Sequence, residues 1–169
     1  MADVAHYLID EHKELLPRIE ELRIVADSVG DFPPHLLMRG VDKLFDFLIN
    51  QLIPHAQAEE ETLYPVVAKI LGTPQATATM SRDHAEVSLL TGRVRVLRSQ
   101  IVTSGLDADK AKELRRHLYG LYTLLKLHFA KEEELYLPML DATLDEIQAH
   151  ELFHKMAEIA HGEGSHLHH

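Results

Sequence analysis

One pattern of histidines and glutamates occurs twice in this chain, each time on an apolar stripe of helical period. Glu11-His12-Lys13-Glu14 matches Asp83-His84-Ala85-Glu86. His55-Ala56-Gln57-Ala58-Glu59-Glu60-Glu61 matches His128-Phe129-Ala130-Lys131-Glu132-Glu133-Glu134. The separations agree as well: His55 follows His12 by 43 positions, and His128 follows His84 by 44. Such a chain is built from two like halves. Each half reads as a helical hairpin with a lone His on its first helix and His-x-x-x-Glu on its second.

The stripes run nearly the whole length. The period predicts a first helix over Asp3 to Ser28, with Leu8, His12, Leu15, Ile19 and Leu22 inward. Gly30-Asp31-Phe32-Pro33-Pro34 breaks it. The second carries Val41, Leu44, Leu48, Leu52, His55, Glu59 and Val66, up to Gly72-Thr73-Pro74. Pro54 and Pro65 predict a bend or break there, since an interior proline removes a backbone hydrogen bond. The third helix spans roughly Gln75 to Ser104, with Met80, His84, Val87, Val94, Leu97 and Ile101 inward and Gly105 as its stop. Asp107 reads as the cap of the fourth. That helix carries Leu114, Leu118, Leu121, Leu125, His128, Glu132 and Leu135, and is expected to end near Pro138. A shorter fifth covers about Leu144 to Ala160. No segment alternates with period two. The fold class is all-α: an up-down-up-down four-helix bundle with a short additional C-terminal helix. Residues 1–160 read as one domain. Residues 161–169 form a His-rich tail (His161, His166, His168, His169), expected to be disordered.

Burying imidazoles and carboxylates on these stripes without partners is costly. Residues four apart share a helix face, so His55 points with Glu59 and His128 with Glu132. With the two hairpins packed face to face, four His and two Glu converge. Imidazole suits iron, copper and zinc, and carboxylates bridge ions. Six ligands exceed the needs of one tetrahedral zinc; two ions bridged by both carboxylates use them all.

Composition narrows the alternatives. The chain has no cysteine, which excludes disulfides, thiolate nucleophiles and iron–sulfur clusters. Its net charge of −10 argues against nucleic acid or anionic lipid as partner. No run of about 18 apolar residues would span a bilayer. The N-terminus lacks the features of a signal peptide. A cytoplasmic location is expected.

The pattern resembles the hemerythrin, or HHE cation-binding, family over about residues 6–138. That resemblance implies a non-haem di-iron centre. His12 and His55 would hold one iron, His84 and His128 the other. Glu59 and Glu132 would bridge them, together with an oxo or hydroxo group. Oxygen-carrying hemerythrins have a further His one turn after the third-helix histidine, where this chain has Ser88. Each iron then keeps an open position, an arrangement suited to a ligand spanning both. The resemblance thus points to a small oxidant, foremost decomposition of hydrogen peroxide in the manner of a catalase. Binding of O2 or NO and iron sensing form the alternative. Iron-cluster repair is a further one, although repair proteins usually add a cysteine-bearing N-terminal domain not seen here. Tyr136, one turn beyond Glu132, and Gln51, one turn before His55, are candidates to support the site or add a ligand. Tyr64 is a third candidate, though on an ideal helix it faces away from Glu59. Glu60 and Glu133 hold equivalent repeat positions and are expected to be solvated.

A competing motif lies in the fifth helix. His150-Glu151-Leu152-Phe153-His154 matches the zinc-protease signature His-Glu-x-x-His. Its extended form needs Gly at 157 and His at 160, and both are Ala. The expected role of this segment is an amphipathic cover over one end of the bundle.

Overall fold

The computed structural model describes residues 4–162, and these are helical with no strand among them. Most of the His-rich tail, from residue 163 on, lies outside the described residues. The first helix, α1, is Val4–Ser28. The second, α2, runs through residues 34–71 as one helical path. A short 3-10 turn, Pro74–Thr77, leads into α3, Ala78–Ser104. The fourth helical path, α4, covers residues 108–143, and α5 is Glu146–His161.

The ends follow local chemistry. Gly72 closes α2 with φ +75°, and Gly105 closes α3 with φ +83°, a region that costs a side chain steric strain. Asp107 caps α4 by accepting from Lys110 N at 2.8 Å. Asp145 and Gln148 form a capping box at the start of α5.

The prolines do not break their helices. Two π-helical turns, Leu48–Leu52 and Glu59–Leu63, lie within α2, and a third, Glu132–Tyr136, lies within α4. In each case the next residue donates its N–H to the carbonyl five back: Ile53 to Leu48, Tyr64 to Glu59, Leu137 to Glu132. Each donor immediately precedes a proline: Pro54, Pro65 or Pro138. The widened turn absorbs the missing proline N–H, so α4 continues past Pro138 to Thr143.

A π turn contains one residue more than an α turn and shifts the inward stripe by one. Val67 is therefore buried where Val66 was expected. Leu135 is 64% exposed, and Tyr136 and Leu137 take the inward positions. The other apolar stripe residues named from the sequence are buried as expected.

Among the first four helices, each packs on two others. Helix α1 packs on α2 and α4, and α3 packs on α2 and α4. Two apolar clusters result. The larger, with Ile19, Leu22, Leu44, Phe47, Val94, Leu118 and Leu121, fills the end near the α3–α4 connection. The other gathers Leu8, Leu63, Tyr64, Val67, Met80 and Leu140 with Leu152, Phe153 and Met156 of α5. Fully burying one such large side chain contributes about 1.5–3 kcal/mol. Helix α5 lies on the 53–63 stretch of α2 and on α1, with its apolar face inward. The histidines and glutamates sit between the two clusters.

Candidate metal centre

All six residues named by the repeat meet in one buried place. His12, Glu59 and Glu132 have no exposure, His128 has 1% and His55 2%. His84 is the most open, with 10% of its side chain exposed.

The carboxylates divide their oxygens between two histidine pairs. Glu59 Oε1 lies 2.8 Å from His55 Nε2 and 4.0 Å from His12 Nε2. Its Oε2 lies 3.1 Å from His84 Nε2 and 3.7 Å from His128 Nε2. Glu132 Oε1 is 2.5 Å from His128 Nε2, and its Oε2 is 4.0 Å from His12 Nε2. The Nε2 atoms of His84 and His128 are 3.0 Å apart. Two sets of ligand atoms within 4.8 Å of one another follow: Glu59, His84, His128 and Glu132, and His12, His55 and Glu59.

Proximity here does not amount to hydrogen bonding. Both oxygens of Glu59, both of Glu132, and Nε2 of His12 and His55 are buried without an aligned partner. Buried polar groups are ordinarily satisfied, and buried charges are paired or coordinate metals. These orphaned atoms converge on shared points, as ligands of cations do. The donor set of imidazoles and carboxylates suits iron.

The far side of each ring is held by an acid. Glu133 Oε1 accepts from His12 Nδ1 at 2.9 Å, and Glu60 Oε1 from His84 Nδ1 at 2.8 Å. Asp83 Oδ2 accepts from His128 Nδ1 at 2.9 Å. Glu11 Oε1 lies 3.0 Å from His55 Nδ1, close but out of line for a hydrogen bond. A proton held on Nδ1 leaves the Nε2 lone pair facing the centre. On the sequence Glu60 and Glu133 read as solvated, and their spacing does not single out Glu11 and Asp83. The signal is the repeat itself: an acid precedes each lone His and follows each buried Glu of the cluster.

Protons compete with cations for these atoms. Burial pushes His128 down, but the close negative carboxylates of Glu132 and Glu59 outweigh it and raise the group to about 10. His55 behaves alike: burial opposes, and Glu59 and Glu11 hold it well above the usual range. Glu132 is raised to about 7 by burial and then by the charge of Glu59. Glu59 itself stays low, because His55, His12 and His128 outweigh its burial.

The three supporting candidates separate. The π turn after Glu59 swings Tyr64 inward, contrary to the ideal-helix expectation. Its hydroxyl lies 3.3 Å from His84 Nε2 and 3.2 Å from His128 Nε2. Burial, with the charges of Glu59 and Glu132, keeps this phenol protonated far beyond its ordinary range. The equivalent residue of the other half is Leu137, so only one histidine pair faces a phenol. Tyr136 packs edge-on against Tyr64 at 6.0 Å, and its hydroxyl donates to Ala76 O at 3.4 Å. Gln51 is exposed, because the π turn over Leu48–Leu52 puts Leu48 and Leu52 inward instead. Ser88 is exposed too. In α5, His150, Glu151 and His154 all face outward, and His154 Nδ1 lies 3.5 Å from Glu158.

An all-helical scaffold around four His and two shared carboxylates defines a class: helical proteins with a buried His and Glu cluster able to hold metal ions. The family model described as hemerythrin HHE cation binding domain matches residues 3–140, and the chain belongs to that family. Its domains bind metal ions, typically iron. Curated proteins and solved structures give no significant match. No helix among the described residues is long and apolar enough to cross a membrane.

Proposed function

We propose that the four helices form an up-down-up-down bundle holding two non-haem irons, and that this centre decomposes hydrogen peroxide. His12 and His55 would hold one ion and His84 and His128 the other, with Glu59 and Glu132 in place to share their oxygens between the two. The observation that carries the two-ion reading is the sharing of Glu59, one oxygen to each histidine pair.

Bound iron supplies reversible one-electron chemistry between Fe(II) and Fe(III). The chain supplies the rest. Glu133, Glu60 and Asp83 fix the protons of His12, His84 and His128 on Nδ1 and so orient the ligands. Apolar clusters on both sides exclude water. Tyr64 Oη holds a proton beside the His84–His128 pair, where it would be in place to donate to an arriving oxidant or, on giving up that proton, to serve as a further ligand. In the overall reaction one peroxide is oxidised to O2 while a second is reduced to two waters, and no outside reductant is needed.

The test is oxygen evolution from hydrogen peroxide by protein loaded with two irons per chain. Evolution well above an equal amount of free iron is expected. Evolution no greater than free iron would falsify the catalytic reading. One observation favours a second reading: the Tyr64 phenol sits beside the His84–His128 pair only, so the two ion positions would differ. That asymmetry suits stoichiometric binding of O2 or NO, which appears as a spectral change without turnover.

A further inference from the structure

The two halves of the repeat differ in how well they cover the centre. His128 is followed by Phe129, and His55 by Ala56. The Phe129 ring stacks on His12 with centroids 3.9 Å apart and planes 8° from parallel. This half is closed: His12 has no exposure, and α1 and α4 pack intimately along their length.

In the other half the equivalent helices, α3 and α2, pack more loosely. A groove of about 390 Å³ opens between them, and His84 lies in its wall. With Ile53 at one side, the small residues Ala56, Ser81, Ala85 and Ser88 flank His84 there. The repeat equivalents are Phe129, Ile9, Lys13 and Leu16. Glu60 crosses the groove, accepting from Ser81 Oγ at 2.8 Å and from His84 Nδ1 at 2.8 Å. Glu61 and Gln57 line the same groove.

We infer that this α2–α3 groove is the route by which Fe(II) reaches the buried ligands, with Ala56 and Ala85 keeping it open and Glu60 receiving the cation. Three facts meet here. His84 is the most exposed of the six ligands. The cavity at its side is the space that Phe129 fills in the other half. The acids at the groove attract a divalent cation at short range, and Glu60 already touches a ligand ring. A carboxylate half in solvent and half on His84 passes an ion inward with little rearrangement.

The inference rests on the two-iron reading, and its test separates the two. Metal-free full-length protein is mixed anaerobically with Fe(II), and iron per chain is followed over time after rapid desalting. Ala56→Phe copies the closed half. Ala85→Phe blocks the same groove from an exposed position that leaves the core untouched. Both variants are expected to take up iron at least tenfold more slowly than the parent, yet to reach the same final two irons per chain with unchanged helical circular dichroism. Loading of Ala85→Phe at the parental rate, with two irons in each protein, overturns the route and leaves the two-iron reading intact. A parent that never exceeds background iron overturns both. If Ala56→Phe fails to fold, Ala85→Phe decides alone.

Discussion

Two parts of this molecule carry histidines and glutamates at metal-ligand spacing, and among the described residues only one gathers them into a buried cluster able to hold metal ions. Between the apolar clusters, four His and two Glu from four helices are buried and aimed at one another. On α5, His150, Glu151 and His154 match a sharper motif, yet all three face solvent. Their rings lie 6.1 Å apart, with His154 beside Glu158. The difference teaches that spacing alone does not make a site. Helices must bring further ligands from elsewhere in the chain, and burial must make an unfilled ligand set costly. The α5 motif has neither; its inward residues are Ala149, Leu152, Phe153 and Met156.

The strongest way to break this contrast is to remove a buried ligand. His128→Ala or His55→Ala is expected to drop metal content from two per chain to one or none. Either should also destabilise the loaded protein by about 3–5 kcal/mol, as removing one partner of a buried charged set does. Elemental analysis and thermal unfolding read both effects.

Next in size is the response to pH. In the metal-free protein His128 is raised from 6.5 to about 10, so its stabilising contribution is full below pH 6.5 and is lost as pH rises through 10. Glu132, raised from 4.5 to about 7, contributes fully below pH 4.5 and loses that contribution as pH rises through 7. Metal-free protein should therefore weaken steadily from about pH 5 to 10, by an amount on the order of a few kcal/mol. Loaded protein should be much flatter over this window, because bound cations replace the protons. Loading at pH 7 should release protons, measurable by calorimetry in buffers of different ionisation enthalpy. Equal pH profiles for the two forms would place the metal elsewhere.

Weaker effects come from the acids behind the rings and from the phenol. Glu133→Gln is expected to lower metal affinity about 10–100-fold, the usual effect of losing a partner behind a ligating His. Competition with a chelator measures it. Tyr64→Phe should keep both metals, lose about 1 kcal/mol of stability, and abolish any visible phenolate-to-iron absorption. Tyr136→Phe should leave that absorption in place, since its hydroxyl reaches Ala76 instead.

The smallest effect sharpens the comparison from the other side. His150→Ala with His154→Ala should leave iron content unchanged and shift stability by no more than about 0.5 kcal/mol, as exposed substitutions do. Loss of iron from this double variant, with retention in His128→Ala, would reverse the assignment.

What the sequence by itself determined is the part governed by period. Stripes of spacing three and four placed Leu8, Ile19, Leu44, Leu118 and their neighbours inward, because a regular α-helix repeats every 3.6 residues. The doubled His and Glu pattern named the six residues that meet, because each lies on the inward stripe of its helix. What only the tertiary structure decided begins where the helix departs from that period. The three π turns shift the stripes by one, exposing Leu135, burying Val67 and swinging Tyr64 onto His84 and His128. The X-Pro pair behind each turn hinted at a disturbance. A proline can equally kink or end a helix, and packing against the neighbouring helices selected the widened turn. The acids on Nδ1 were likewise hidden: Glu133 reaches His12 across 121 residues of chain, a contact set by how α1 and α4 lie together. Local spacing fixes which residues share a face, and only the packed helices fix what that face meets.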